Sequence, residues 1–552
     1  MTTTTTHGTS PVARRGGRTV RILSGLVVLG LAGGAVAVAA VAPAPRPSAV
    51  PPAAVAVDAG RTTLVCPGPL RLPDEDGAGD SEFDRVPVAP VESVTAFDVQ
   101  LSGSASLTPL GGDATAFDAG AAALSSPPAP VVLRADPLDG EPARVAGVTS
   151  SRVTDGDLRG LAAGSCARPA SDLWLVGGST SLESTADLVV VNPGATPAEV
   201  TVELWGPSGP VDLGAGATTL VAPGEQRVVV LPGVAAEQRR IAVHLSAAGG
   251  QVSAYLQDSL LDGFTPRGTD LVTPGAPPAT TQLVPGIRVP AADVDDPEAG
   301  VLRVLAPGDG GATAAVRLLG PDGDVVLPGA ERLELTAGEV TDLSLGGLPA
   351  GTYTAVVEAD APVVASAALA REGDAGELDD QPRLERAWSA STPAGGGLVA
   401  VPAGADGYLT LGAVPTGDAV GSGDGPAPSA SAAPSPEPTQ GQRPDPDAEE
   451  DAPAGPVTTV TLRAHRADGE VADQDVEVPV GSTVSVPVAD LADDVVGVEV
   501  LPADDPAADV AWALVAMVER GDGNLLSVVS PLTDSESVTQ AQVREGRRVG
   551  LD

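Results

Sequence analysis

Residues 190–209, VVNPGATPAEVTVELWGPSG, recur at 304–323 as VLAPGDGGATAAVRLLGPDG, and the offset of 114 holds without a gap. Pro193-Gly194 falls on Pro307-Gly308, and Gly206-Pro207 falls on Gly320-Pro321. A period this long exceeds that of solenoid repeats and fits a duplicated all-β domain. Within the first copy Val200, Val202 and Leu204 alternate with Thr201, Glu203 and Trp205. That is the period-two pattern of a half-buried strand, and it sets Trp205 on the outer face. The expectation is tandem Ig-like β-sandwiches at 171–285 and 286–415, the second carrying extra strands.

A fainter third copy is expected at 457–535, where Val460, Leu462 and Ala464 lead to Asp468-Gly469. Residues 58–170 read as a less regular β region. The stretch 416–456 is rich in Pro, Ser, Ala, Gly and acid, and is expected to be disordered, as a linker or a loop insertion.

The N-terminus predicts export. Arg14, Arg15, Arg18 and Arg21 precede an uncharged run from Ile22 to Ala42. At about 1.5 Å per residue, a helix over 22–42 spans a bilayer core of roughly 30 Å. The arginines hold the 1–21 tail in the cytoplasm, so everything beyond the helix lies outside. The segment 43–57 reads as a Pro/Ala spacer and 536–552 as a C-terminal tail. Ala40-Val41-Ala42 also resembles a signal cleavage site, although Pro43 disfavours cutting there; the alternative is a secreted protein. Cys66 and Cys166 are the only cysteines, and they predict a disulfide closing a 100-residue loop on the oxidising side.

All 31 basic residues are arginine, against 73 acids, for a net charge of −42. Such a surface repels nucleic acid phosphates and anionic headgroups, which makes both poor partners. The three histidines, His7, His244 and His465, sit in the tail and in strands of different copies, with no nucleophile elbow to serve. Gly177-Gly178-Ser179-Thr180 lacks the lysine and the following helix of a phosphate loop. Asp293-Val294-Asp295-Asp296 lacks the glycine and terminal glutamate of a calcium loop and reads as a solvated acidic turn. No catalytic residue, metal or cofactor is therefore expected. An acidic hydrolase within 58–170, working through carboxylates alone, is a third reading.

Gln257-Asp258-Ser259, with Asp262 behind, follows an apolar strand and has no counterpart at Ala368–Arg371 of the second copy. Together with Trp205 these residues are the candidate interaction surface. Exposed tryptophans among Trp174, Trp205, Trp388 and Trp512 would offer stacking platforms for glycan.

Several strings occur in order: Leu64-Val65-Cys66-Pro67-Gly68-Pro69, Trp174-Leu175-Val176-Gly177-Gly178-Ser179-Thr180, Val191-Asn192-Pro193-Gly194, Leu256-Gln257-Asp258-Ser259 and Gly351-Thr352-Tyr353. Over about 60–530 the chain resembles the actinobacterial family labelled domain of unknown function 5719, made of exported or membrane-anchored proteins. The resemblance implies an envelope location and carries over no catalytic residue. The expected function is a non-enzymatic, membrane-anchored, extracytoplasmic structural or protein-interaction module. The alternative is a cell-wall or polysaccharide-binding protein. Expected partners are the membrane, through the N-terminal helix, and envelope proteins or cell-wall glycan.

Overall fold

Alternating burial governs the strands. In Ala198–Gly206, Ala198, Val200, Val202 and Leu204 are buried while Glu199 and Glu203 face out. Ala312–Gly320 buries Ala312, Ala314, Val316 and Leu318 in the same parity. A sheet with one apolar face needs a second sheet to cover it, and each buried Val or Leu contributes about 1.5–3 kcal/mol. Aromatics make up only 2% of the chain, so these cores are built from Val, Leu and Ala.

A computed structural model describes residues 53–56, 58–71, 89–294, 296, 298–327, 329–375, 382–415, 455–503, 506–533 and 540–543. The tail 1–21, the predicted span 22–42, all of the spacer 43–57 but 53–56, the stretch 416–454, and all of the tail 536–552 but 540–543 lie outside the described residues. Among those described, no helix is long and apolar enough to cross a membrane. Ala53–Ala56 and Gln540–Val543 pair antiparallel and belong to one compact unit, and residues 58–539 form another.

The larger unit is all-β and sandwich-like, with four sheets that repeat one strand order. Each begins at an outer strand and ends at a strand near the end of its repeat. The first runs Ala121–Ser125, Val91–Asp98, Val145–Val153, Gly160–Ser165. The second runs Gln226–Val230, Ser184–Val191, Ser253–Asp262, Thr265–Val272. In the third, Thr341–Ser344 and Val301–Leu305 are followed by the latter part of the long strand Gly351–Ala375, then Pro382–Ala390. The fourth is Thr483–Pro487, Asp406–Pro415, Ala508–Val518, Leu525–Val529. Each packs on a partner sheet; the earlier part of Gly351–Ala375 crosses into the partner sheet of the third.

Two groupings drawn from the sequence change. Residues 58–170, read as irregular, supply the first sheet pair, with Leu64, Val94, Leu107 and Leu133 in its core. Strands Gly397–Ala400 and Asp406–Pro415, grouped above with 286–390, pack with the C-terminal strands instead. Leu398, Leu409 and Leu411 share a core with Val460, Leu462 and Trp512. The stretch 416–454 therefore connects two strands of one sandwich. That insertion splits the fourth repeat, which is why its first strands look like an appendage of the third.

The Cys66–Cys166 disulfide is formed, tying the strand Thr62–Cys66 to the end of Gly160–Ser165 beside a core that includes Val131 and Val145. Reducing it is expected to cost the first sandwich about 3 kcal/mol. Denaturation with and without a phosphine reductant measures this, and coincident unfolding curves would rule out a stabilising crosslink.

Candidate functional site

The terminal strands of the four sheets meet. Gly160–Ser165 contacts Thr265–Val272 and Leu525–Val529, and Pro382–Ala390 contacts the same two strands from the other side. Apolar clusters close the ring outside this hub. Val65, Val153 and Ala162 pack with Val189, Tyr255 and Leu271. Trp174, Trp205 and Ala242 pack with Leu305, Val340 and Val364. Ala513, Val515 and Leu526 join the core of the third sandwich, and Phe97, Ala146 and Val148 join that of the fourth. Close approach requires glycine here. A Cβ on Gly160 would lie 2.6 Å from the Thr269 carbonyl oxygen, and one on Gly268, at φ +99°, 2.4 Å from the Arg386 nitrogen.

An edge strand leaves alternate backbone N–H groups without a ladder partner, and in an interior these must find acceptors. Two carboxylates supply them. Glu385 Oε1 accepts from the Leu161 N–H at 2.9 Å and the Leu526 N–H at 3.2 Å. Asp270 Oδ2 accepts from the Trp388 N–H at 2.7 Å, and its Oδ1 from Ser527 Oγ at 2.8 Å. Each acid thus binds strands of other sandwiches. Both are 1% exposed. Burial, only partly offset by these hydrogen bonds, pushes the Glu385 carboxyl up to about 8 and Asp270 well above the usual carboxylate range. Arg159, itself 1% exposed, stands 3.8 Å from Glu385 Oε2.

Two cavities flank the hub. One, of about 470 Å³, is bordered by the chain segments that leave all four hub strands, including Pro169, Pro274, Pro393 and Pro531. The other, of about 260 Å³, lies between the second and third sandwiches, and Glu385 and Trp388 form part of its wall.

The candidate surface residues fall largely inside this framework. Gln257, Asp258 and Ser259 are buried, at 3%, 1% and 0% exposure, so they present no open surface. Gln257 clamps Arg71, accepting from its N–H at 2.7 Å and donating to its C=O at 3.0 Å. Asp258 accepts from Trp388 Nε1 at 2.8 Å, and Ser259 Oγ from Thr269 Oγ1 at 3.1 Å. Asp262 is exposed and pairs with Arg267. Trp205 leaves its own core, as the parity predicts, but the third sandwich covers its outer face. All four tryptophans are at most 8% exposed, which removes the stacking platform for glycan.

His244 has Glu203 at 2.8 Å on Nδ1 and Asp172 at 3.0 Å on Nε2, so neither ring nitrogen is open to a nucleophile. The carboxyls that burial raises, Asp270 and Glu385, lie on strands beyond 58–170, the expected place for an acidic hydrolase. No cluster of three or more metal-ligating side chains occurs among the described residues.

Sequence reasoning missed Asp270 and Glu385, and named Trp388 only among possible stacking platforms. Their signal is an acid at a buried position of an apolar strand, in Thr269-Asp270-Leu271-Val272 and Leu384-Glu385-Arg386-Ala387-Trp388. The exits repeat as well: Thr273-Pro274, Thr392-Pro393 and Ser530-Pro531 each follow a hub strand.

A family model described as a family of unknown function (DUF5719) matches residues 92–422, more than half of the chain. No curated protein matches. Among solved structures, the crystal structure of Thermotoga maritima 1070 is 20% identical, covering 21% of this chain and 93% of its own, with a TM-score of 0.16. A score so low carries no argument about the fold.

Proposed function

The chain belongs to the DUF5719 family of unknown function, and from that premise we propose that it is a non-enzymatic, extracytoplasmic structural module of the cell envelope, built of Ig-like sandwiches and tethered by a signal anchor at 22–42. The observation that carries this reading is the hub. Its buried carboxylates hold backbone amides of neighbouring sandwiches, so the most perturbed titratable groups serve cohesion. Four sandwiches locked edge to edge make a rigid body, which suits a spacer or a platform for other envelope proteins. The Cys66–Cys166 disulfide supports an oxidising compartment. The net charge of −42 suits solubility there and opposes docking on anionic lipid.

Protease added to intact cells, or to spheroplasts where a wall intervenes, tests the placement. A tag at the C-terminus is expected to be removed while one at the N-terminus stays protected. Recovery of both tags intact from the cytosol would sink the proposal.

A further inference from the structure

The partner sheets end differently in the four repeats. In the first, the edge is the two-residue strand Thr115–Ala116 beside Ser106–Pro109. In the second it is broken into Gly209–Val211 and Thr218–Val221, and in the third into Gly323–Val326 and Leu333–Leu335. Short or interrupted edges are how sheet proteins resist the addition of a further strand. The fourth repeat lacks this defence. Val471–Pro479 runs nine residues beside Val457–Arg466 without a register shift, and among the described residues no strand pairs with its other side.

Hydrogen bonds at its two ends fix which backbone groups point outward. The Arg466 N–H donates to the Glu470 carbonyl and the Val480 N–H to the Pro456 carbonyl, each at 2.9 Å. Along an antiparallel pair, successive residues alternate between bonding to the neighbouring strand and bonding away from it. Ala472, Gln474, Val476 and Val478 therefore bond inward. Val471, Asp473, Asp475 and Glu477 turn their N–H and C=O groups to the free edge. The outward set ends at Pro479, which has no N–H to leave unpaired.

Charge decides what can be added there. The exposed side chains of Asp473, Asp475 and Glu477 share the outer face with Arg463. Arg463 holds Asp473 through two hydrogen bonds, at 2.8 and 2.9 Å, and Arg144 pairs with Glu499 on the next strand. Asp475 accepts from the uncharged Thr461 Oγ1 at 2.7 Å, and among the described residues Glu477 makes no ion pair. Two negative charges thus remain, two residues apart. A second copy fits badly. Antiparallel self-pairing about Asp475 would set that residue against itself and Asp473 against Glu477. On the inner face Val476, Val480 and Val484 are only half-buried against the fourth core.

We propose that Val471–Pro479 captures, by antiparallel strand addition, an extended segment of another protein in which basic and apolar residues alternate. Its basic residues stand opposite Asp475 and Glu477, and its apolar residues extend the core over Val476. This gives the platform reading above a partner chemistry, and rests on that reading only for where the partner lies.

The test titrates the full chain, solubilised in an uncharged detergent, into a labelled peptide of alternating valine and arginine, read by fluorescence anisotropy. A peptide of the same composition with its arginines contiguous is expected to bind about tenfold or more weaker. Methylating the arginine backbone nitrogens, which face the edge, should weaken binding about tenfold; methylating the valine nitrogens, which point away, should not. Asp475→Asn combined with Glu477→Gln changes only exposed side chains, so the fold is expected to persist while binding weakens about fivefold or more. Bound peptide should also slow amide exchange over 471–477. Equal binding of the two arginine orders, indifference to which nitrogens are methylated, no binding at all, or undiminished binding by the double variant each overturns the proposal. Protection of 471–477 that rises with protein concentration alone overturns it too, and makes a second copy the occupant. None of these results bears on the protease test.

Discussion

Glu385→Ala is expected to destabilise the sandwich unit by about 4 kcal/mol at pH 6, measured as a shift in urea unfolding. The truncation orphans two backbone donors, the N–H groups of Leu161 and Leu526, which belong to the first and fourth sandwiches. Each buried donor left without a partner costs about 1–3 kcal/mol. The void left by a fully buried side chain adds to this. Glu385→Gln is the control, because its Oε1 retains both amides; it should recover most of the loss. Asp270→Ala is expected to cost less, about 3 kcal/mol. Ser527 can turn its hydroxyl to the Ala163 carbonyl, 3.3 Å away, which leaves the Trp388 N–H as the main orphan. A Glu385→Ala protein as stable as wild type would mean that the ring is held by its apolar clusters and that the carboxylates merely occupy it.

The contrast between legible and illegible parts follows from the range of each interaction. Alternation in Val200, Val202 and Leu204 is a property of one strand and its own sheet, so the repeat and its parity are plain in the sequence. The hub depends on strands more than 100 residues apart meeting edge to edge, and no local pattern encodes that. The first sandwich escaped because it shares strand order with the others rather than strings of residues. The Gln257-Asp258-Ser259 group shows the limit most clearly. Its absence from the second copy does mark a special place, since it lies where the first and second copies of the echo meet different neighbours. Polar residues in a strand were read as facing water. Here Asp258 faces Trp388 of the next sandwich, and Gln257 faces the backbone of Arg71. Trp205 repeats the lesson: an outward parity points away from one core and, in this molecule, toward the next.

The same two acids set an expected pH profile. Glu385 binds a proton up to about pH 8 in the folded chain, against an ordinary value of 4.5, because burial disfavours its charge. Asp270 is displaced in the same direction for the same reason. Between these limits the native state holds protons that the unfolded chain has released. The contribution from Glu385 is therefore full below about pH 4.5, falls as pH rises, and is lost once pH passes about 8. The slope can reach about 1.4 kcal/mol per pH unit for one group. Glu499 and Asp522 act oppositely. Burial pushes each up, but His465 and Arg144 at Glu499, and Arg159 and Arg520 at Asp522, hold them below their ordinary values. Their contribution is lost as pH falls through the acidic range. Stability should therefore peak near about pH 5 and decline toward pH 8, an unusual profile for a disulfide-bonded sandwich. Glu385→Gln cannot ionise, so its decline over pH 5–8 should be shallower, and above about pH 8 it should be more stable than wild type. Thermal unfolding from pH 4 to 9 on both proteins reads this directly. Parallel profiles that never cross would place the ionised Glu385 in the folded hub, stabilised by Arg159 beyond what their 3.8 Å separation implies.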